Sequence, residues 1–307
     1  MERAMQPTQT RPAAGEVPVR HVKFEFDPST MAKYCFKDDA FSSAFILTFS
    51  TFIPHGERLV IDAVRARRDE IRDPELRERV TGLIGQESMH ARVHRDFNAA
   101  YQAKGLPIDR IDRLGRWFFT RALPRTLSPD MLLAVTCAIE HVTAMMAEAA
   151  FSAPENADQL DPPARDFLHW HLLEECEHKS VAMDVYREVE GSELTRKAAM
   201  FFILATAGSL FVYAIPTFLA TPGFSQGRLR ARAGRAFWFG PRGYFAQLVP
   251  GALRYLRSDF HPDQTDTGEL LETWRERLFG PDGELSGYVV KTVHTSKRNA
   301  ARTRPVA

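Results

Sequence analysis

The sequence predicts an all-α fold, and two observations support this prediction. Apolar residues recur at helical spacing from about residue 38 to about residue 220, and no run of residues alternates as a strand would. Proline, glycine and N-capping residues then divide this stretch into four long helices. Short loops join the first helix to the second and the third to the fourth, so each of these pairs should be antiparallel.

The first two helices have clear boundaries. The first is predicted from Asp39 to Ile71, with a kink or bulge where Pro54 and Gly56 interrupt it. The second is predicted from Pro74 to Lys104, and it stops at Gly105, a residue type that commonly follows a helix. The turn between the two helices is the short "RDP" sequence.

The other two helices follow a much longer connection. The third is predicted to begin at Pro129, with Ser128 as its N-cap, and to end near Ala150. The fourth is predicted from Pro163 to Glu190. Because the stretch "GLPIDRIDRLGRWFFTRALPRTLS" separates the second helix from the third, the bundle has one long crossover, which is the ferritin-like arrangement.

The chain is therefore divided into four parts. Residues 1–37 are predicted to be a flexible leader and lead-in, and residues 38–190 the four-helix bundle. Residues 191–285 form a predicted C-terminal helical extension, and residues 286–307 a basic tail. The leader is polar and has no apolar core of the kind that secretory signals carry.

Composition excludes several classes of protein. The net charge is +1 over 307 residues, so no overall basic field points to a nucleic-acid partner. The cysteines are odd in number and widely spaced, at Cys35, Cys137 and Cys176. This usage argues against a disulfide framework or a thiolate zinc site and indicates a reducing compartment. A cytoplasmic location is expected, and association with the inner face of the membrane is an open alternative.

Each predicted helix carries acid on its apolar side. Glu57 in the first helix and Glu140 in the third stand alone among apolar neighbours. The second helix carries Glu87-Ser-Met-His90 and the fourth Glu175-Cys-Glu-His178, which have the same Glu-x-x-His spacing. One Glu from each of two helices and Glu-x-x-His from each of the other two is the ligand set of di-iron and di-manganese carboxylate bundles.

The charge of these side chains explains why a metal is expected. Isolated buried carboxylates are costly, and four in one core repel each other strongly. Two divalent ions would cancel their charge, and carboxylates can bridge ions that lie roughly 3.5–4 Å apart. Oxygen and imidazole ligands without thiolate favour iron, or else manganese, over a structural zinc.

Further polar residues lie near this ligand set. His94 and His171 share the ligand face. Each is interpreted as an additional ligand, a donor that orients a glutamate, or a proton shuttle. The alternative is a core histidine bonded to a backbone carbonyl. His141 and His169 face elsewhere and are interpreted as structural. Glu174 competes with Glu175, which is preferred because it matches the spacing in the second helix.

Two features lie beyond the bundle. Residues 198–220 carry no charge and reach the length of a membrane span. Three interpretations stay open: a fifth helix buried on the bundle, an interfacial attachment through residues 198–235, and a true span. Asp259 and His261 are interpreted as a turn before a helix that starts near Thr267.

Several motifs resemble a known family. The stretches "FIPHGERL", "QESMHARVHRDFN", "IEHVTA", "HWHLLEECEHKSVAMDVY" and "DFHP" are similar to the bacterial family of predicted metal-dependent hydrolases, over most of residues 24–280. The resemblance implies a ferritin-like fold and a metal-dependent activity. The positions that match the presumed ligands of the family are Glu57, Glu87, His90, His94, Glu140, His171, Glu175 and His178.

Three functions follow from these expectations. The preferred hypothesis is an O2-dependent oxidase or oxygenase that acts on a small apolar substrate and takes electrons from an external donor. The first alternative is a hydrolase that uses a metal-activated water, as the family description implies. The second alternative is metal binding or storage without catalysis. The sequence does not specify an oligomeric state.

Overall fold

The computed structural model describes residues 15–36, 38–225 and 228–295, and it confirms the all-α class. The predicted leader at residues 1–14 and the end of the tail at residues 296–307 lie outside these residues. In chain order the α-helices are α1 (Ala40–Ala66), α2 (Pro74–Ala103), α3 (Ile108–Trp117), α4 (Leu123–Thr126), α5 (Pro129–Ser152), α6 (Pro162–His178), α7 (Val181–Glu188), α8 (Glu193–Leu219), α9 (Arg228–Phe239), α10 (Tyr244–Tyr255) and α11 (Gly268–Phe279).

Helices α1, α2, α5 and α6 form the four-helix bundle. Helix α1 packs on α2 and α5 packs on α6, while further contacts join α1 to α5 and α2 to α6. The long crossover holds α3, a π-helical turn at Phe118–Ala122, and α4. The bundle therefore has the connectivity predicted from the loop lengths.

Local capping signals fix where the bundle helices begin. The Asp39 side chain accepts hydrogen bonds from the backbone N–H groups of Phe41 and Ser42, which starts α1. The Ser128 hydroxyl accepts one from the N–H of Met131, which starts α5. Both N-caps agree with the starts predicted from sequence.

The ends of two predicted helices are wrong. Helix α1 stops at Ala66, and a 3₁₀ turn at Arg68–Glu70 replaces the predicted end at Ile71. The predicted fourth helix is broken after His178, and α7 follows it as a separate helix. At the break, the Lys179 ammonium donates to the carbonyl of Thr265 and to Thr267, contacts that a local pattern cannot contain.

A small sheet, which the sequence does not predict, ties the two ends of the described chain together. Strand β1 (Val19–Val22) pairs antiparallel with β2 (Val289–Val293), in segments that the sequence assigns to the lead-in and the tail. Neither strand shows clear alternation, and each finds its partner far along the chain. Strand β1 lies on α2 at Gly82 and Gly85, where a Cβ would stand 2.4 Å from an atom of Val17 or Val19.

We expect Gly82→Ala to destabilise the protein by about 1–3 kcal/mol, because the added methyl group forces the chain at Val17 away from α2. Gly208→Ala is the matched control: Gly208 is also helical, and a Cβ there would meet no atom within 4 Å. Urea denaturation measures both free energies of unfolding. Equal stability of the two variants would contradict the close packing of Val17 on α2.

The apolar segment at residues 198–220 lies mostly within α8. One face of α8 packs on α1 and α5, but only 33% of its most apolar window is buried. By length and composition α5 and α8 of the described chain could each cross a membrane, although α5 is a bundle helix whose window is 67% buried. Helix α8 is thus a fifth helix packed on the bundle along one face only.

Candidate metal centre

The eight residues singled out in the sequence come together in the core of the bundle. Each of them is at most 4% exposed. Because α1, α2, α5 and α6 all turn an apolar face inward, the acids and imidazoles on those faces must meet. The members are Glu57, Glu87, His90, His94, Glu140, His171, Glu175 and His178, and they form overlapping groups with the spacing of metal ligands.

At one end of the cluster, His90 faces three carboxylates. Its Nδ1 atom lies 3.7 Å from Oε1 of Glu57, 3.8 Å from Oε1 of Glu175 and 4.0 Å from Oε2 of Glu87. The Nε2 atom of His171 lies 2.9 Å from the same Glu175 oxygen. Four side chains besides His90 thus surround one potential cation position.

At the other end of the cluster, His178 likewise faces three carboxylates. Its Nε2 atom lies 3.1 Å from Oε1 of Glu87, 3.2 Å from Oε2 of Glu140 and 3.4 Å from Oε2 of Glu175. Glu87 and Glu175 therefore direct one oxygen to each end. This is the placement expected of two carboxylates that bridge two ions, with Glu57 and Glu140 as terminal ligands.

The unpaired atoms in this cluster fit a pair of divalent cations. Several of its buried nitrogen and oxygen atoms have no hydrogen-bond partner among the described residues, and leaving such atoms unpaired is costly. Two dications would match the charge of the four carboxylates and supply a partner for every one of these atoms. The orphaned atoms are both oxygens of Glu57, Oε1 of Glu87, Nδ1 of His90, Oε2 of Glu140 and Nε2 of His178.

The electrostatics of the cluster without metal lead to the same conclusion. Burial, reinforced by the neighbouring carboxylates, raises the pKa of Glu57 and of Glu87 well above the ordinary value. Although burial alone would lower the pKa of His178, Glu140 and Glu175 raise it well above its usual range. Protons thus stand in for cations, and a metal ion would displace them.

Buried partners behind the histidines fix the direction of their lone pairs. The Nε2 atom of His90 lies 3.0 Å from Oε2 of Glu174, and Nδ1 of His178 lies 2.8 Å from Oε1 of Gln86. We assign the protons to these bonds because the Gln86 carbonyl can only accept and because Arg20, which donates to Glu174, favours the carboxylate form of that residue. Nδ1 of His90 and Nε2 of His178 are then free to bind metal. In other metal proteins, too, a hydrogen bond to one ring nitrogen of a histidine orients the other nitrogen toward the metal.

Glu174 and Gln86 belong to a buried network of ion pairs and hydrogen bonds. Arg20 on β1 donates to Glu174 at 3.0 Å and to both oxygens of Glu177, at 2.7 and 2.8 Å. The Gln86 amide donates to Glu177 as well, and Arg275 on α11 donates to it from the other side. Burial raises the pKa of Glu174 to about 8 against the charge of Arg20, whereas for Glu177 the two arginines overcome burial and lower the pKa.

We expect Arg20→Met to destabilise the protein by about 3–5 kcal/mol, because it leaves buried carboxylates without their counter-ion. Arg275→Met is the matched control and should cost much less, since Arg275 is 20% exposed and Glu177 keeps Arg20. Urea denaturation of both variants measures the difference. A smaller loss for Arg20→Met than for Arg275→Met would show that the network is not organised around Arg20.

Pro54 explains part of the geometry around His94. Because proline has no N–H, the carbonyl of Ser50 loses its helical partner, and the amide of Asn98 donates to it instead at 2.8 Å. The Ser50 hydroxyl donates to Asn98 at 2.7 Å and lies 2.8 Å from Nδ1 of His94. Nε2 of His94 lies 3.0 Å from Nδ1 of His171, so both nitrogens of His94 are engaged and His94 positions the ring of His171.

The remaining candidates lie outside the cluster. Asp259 pairs with Arg257 on the surface, and His261 contacts Asp184 at 2.8 Å. His141 lies 3.2 Å from the carbonyl of Gly251, and the ring of His169 packs on that of Trp274 at 5.0 Å. These contacts are structural, which is how the sequence analysis interprets Asp259, His261, His141 and His169.

Sequence reasoning missed several residues that support the site. Arg20 and Arg275 lie far from the ligand motifs, and Gln86 and Glu177 gave no sign of their own. One signal was available, since Glu174 and Glu177 lie beside Glu175 and His178 in one acid-rich turn. When a buried helix carries more acids than a metal site requires, basic residues from elsewhere in the fold are expected to pair with the remaining acids.

A cavity of about 130 Å³ adjoins one end of the cluster. Its wall includes His171, Glu175 and Thr143, whereas Glu140 and His178 do not line it. The Thr143 hydroxyl donates to Glu175. Apolar side chains form most of the remaining wall, among them Phe36, Phe45, Ile46, Phe49, Ile53, Met146, Leu168, Leu172, Phe237 and Trp238. The cavity therefore presents an apolar space to the His171 end of the cluster.

The comparisons with known proteins agree with a metal centre. The model of one family, described as "Predicted metal-dependent hydrolase", matches residues 18–266. That range includes all eight residues of the cluster and Arg20. No curated protein and no solved structure shows significant similarity to the chain. The match covers most of the sequence, and the chain belongs to the family of predicted metal-dependent hydrolases.

Proposed function

We propose that this protein is a dimetal enzyme that hydrolyses a largely apolar substrate held in the cavity beside the cluster. The observation that carries the proposal is the set of orphaned ligand atoms that converge from four helices next to that cavity. The family description supports hydrolysis over the oxidation preferred from sequence. Bound divalent ions would supply an activated water and polarise the scissile group.

The ligands proposed for the two ions follow from the distances. Glu57 and His90, which lie close to Glu87, and His171, which lies close to His90 and Glu175, would hold one ion. Glu140 and His178, which also lie close to Glu87, would hold the other. Glu87 and Glu175 would bridge them, because each directs one oxygen to either end. His94 is proposed to orient His171 rather than to bind metal. Oxygen and nitrogen donors alone favour iron or manganese.

The cavity limits what the substrate can be. A dry cavity of about 150 Å³ holds benzene in another protein, so the cavity here accepts a ring of that size or a short hydrocarbon segment. Thr143, Ser50, His94, Asn156 and His169 add polar atoms to its wall, but the hydroxyls of Thr143 and Ser50 already donate to Glu175 and Asn98. Apolar contact must therefore provide most of the binding energy.

The residues of the chain have defined parts in this reaction. The aromatic wall excludes bulk water from the substrate, and Thr143 holds Oε2 of the Glu175 carboxylate, the oxygen directed to His178. Glu174 and Gln86 keep the rings of His90 and His178 aimed inward. Because Glu57 has both oxygens free of hydrogen bonds, it is available to bind the ion at the His90 end.

The experiment loads the purified protein with Fe(II) or Mn(II) without oxygen and screens esters and amides that carry a phenyl or short alkyl group. Products are analysed in water enriched in ¹⁸O. Hydrolysis without O2, with the label in the product, is the expected result. Turnover that requires O2 and places oxygen from O2 in the product would reject hydrolysis.

Oxidation with O2 is the second candidate, and the composition of the cavity wall favours it. Hydrolysis requires a polar scissile group, and the wall offers few donors that are not already engaged. An apolar cavity suits a hydrocarbon substrate equally well, and such a reaction would need an external electron donor. The ¹⁸O experiment separates the two candidates, because the isotope enters from a different source in each.

A further inference from the structure

One stretch of the chain carries basic residues without any acid. Residues 194–258 contain no aspartate or glutamate, although the chain as a whole has 39 acidic and 40 basic residues. The same stretch contains nine lysines and arginines, namely Arg196, Lys197, Arg228, Arg230, Arg232, Arg235, Arg242, Arg254 and Arg257. Glu193 and Asp259, which flank the stretch, pair with Arg196, Lys197 and Arg257. The positive charge of the segment therefore comes from the other six arginines, and a negatively charged partner would complement it.

The first part of this stretch exposes an apolar stripe. Along α8 the exposed residues recur every three or four positions, so they lie on the face turned away from the bundle. Phe201 is 62% exposed and Val212 75% exposed, values that are high for such side chains. The apolar members of the stripe are Ala198, Phe201, Leu204, Ala205, Val212 and Tyr213.

Helices α9 and α10 extend this surface. The ring of Phe45 contacts Phe211 of α8 at 4.8 Å, Trp238 of α9 at 4.1 Å and Phe245 of α10 at 5.5 Å, so the three helices meet over one residue. Exposed apolar and basic side chains both occur on α9, on α10 and in the turn between them. The apolar ones are Phe239, Val249 and Leu253, and the basic ones are Arg232, Arg235, Arg242 and Arg254.

From these observations we infer that residues 194–258 form a docking surface for an anionic lipid bilayer. The apolar stripe enters the boundary between headgroups and acyl chains, and Arg232, Arg235, Arg242 and Arg254 contact the headgroups. Charge selects this occupant over a second copy of the chain, since two copies would bring the exposed arginines of this surface, Arg232, Arg235, Arg242 and Arg254, against their own counterparts.

Helix α8 lies on the membrane in this arrangement and does not cross it. Its inner face is buried, with Ala199, Ala214 and Phe218 fully covered, and Phe211 packs on Phe45 and Phe49 of α1. Those two phenylalanines also line the cavity. A crossing would expose these side chains and open the cavity wall, whereas a parallel orientation keeps them packed.

The position of the cavity links this surface to the substrate. Phe237, Trp238 and Tyr244 belong to the same stretch and line the cavity. A docked protein would therefore hold the cavity close to the lipid, and its substrate would be drawn from the bilayer. This last step rests on the proposed function, whereas docking itself is measured without turnover, so the two can fail separately.

Flotation of the full-length, metal-loaded protein with vesicles tests the docking surface. Vesicles of phosphatidylcholine alone are compared with vesicles that also contain phosphatidylglycerol, at about 0.1 M and about 1 M salt. We expect binding to the anionic vesicles, and we expect high salt to weaken it. The double substitution Arg232→Glu and Arg235→Glu should lower that binding by about fivefold per arginine.

A matched pair of valines tests the apolar stripe. Val212→Asp should lower vesicle binding by about tenfold or more, because it places a charge in the stripe. Val290→Asp is the control, since Val290 on β2 is 70% exposed and lies outside the surface. No binding to either vesicle, binding that ignores both charge and salt, or equal effects of the two aspartates would overturn the inference. A dimer that Val212→Asp dissociates, without vesicle binding, would assign the surface to a second copy.

Discussion

Glu175→Gln is expected to remove at least one of the two metal ions and, with it, the activity of the protein. Glu175 directs one oxygen toward His90 and the other toward His178, so it is one of the two carboxylates proposed to bridge the ions. Glutamine keeps the shape but removes the charge. Losing an outer partner of a metal ligand typically costs about 10–100-fold in metal affinity, and a bridging ligand should cost more.

Metal content after dialysis and the affinity for added Mn(II) measure this effect. Glu148→Gln is the matched control, because Glu148 lies on the same bundle and pairs with Lys179 at 3.2 Å, away from the cluster. The control should retain both ions. If Glu175→Gln binds metal as tightly as Glu148→Gln does, Glu175 is not a ligand and the bridging arrangement is wrong.

The metal-free protein is expected to lose stability as the pH rises from about 7 to about 9. Burial and mutual repulsion raise the pKa of Glu57 and Glu87 well above 4.5, so the folded chain holds protons that the unfolded chain has already released. Since the folded state then binds more protons, unfolding becomes easier at higher pH. His178 acts in the same direction, because its pKa is raised in the folded chain.

The other titrating groups do not oppose this trend in that range. Burial lowers the pKa of His90 and His94 below 6.5, so both are neutral in the folded and unfolded states above pH 7. Their effect is a loss of stability at lower pH. Glu175, whose pKa His171 and His178 lower against the effect of burial, is ionised in both states.

Thermal unfolding across this pH range measures the slope, with and without Mn(II). Bound metal should raise Tm and remove the decline, because it displaces the protons that the slope reports. The same decline in the presence of metal, or a Tm that rises with pH in the metal-free protein, would contradict the assignment of raised pKa values to these carboxylates.

Local sequence patterns predicted the bundle and the acids and histidines that meet in its core. Glu57, His90 and His178 could be found because helical spacing alone places them on inward faces of long helices. Connection lengths gave the order of the helices, and the N-caps Asp39 and Ser128 gave two of their starts. Each of these signals lies within one segment of the chain.

The features that the sequence missed depend on contacts between distant segments. Arg20 reaches Glu174 and Glu177 only because β1 pairs with β2 from the far end of the chain. Lys179, at the break after His178, contacts Thr265 and Thr267 from the far part of the chain. The network that orients the histidines of the candidate metal centre therefore could not be predicted from the motifs that contain them.

The central claim is that Glu57, Glu87, His90, Glu140, His171, Glu175 and His178 hold a pair of metal ions. Counting the metal in the purified chain, together with X-ray absorption spectroscopy at the metal edge, tests it most directly. We expect about two ions per chain, bound by oxygen and nitrogen and roughly 3.5–4 Å apart. A single ion, no stoichiometric metal, or ions without a metal neighbour at that distance would contradict the claim.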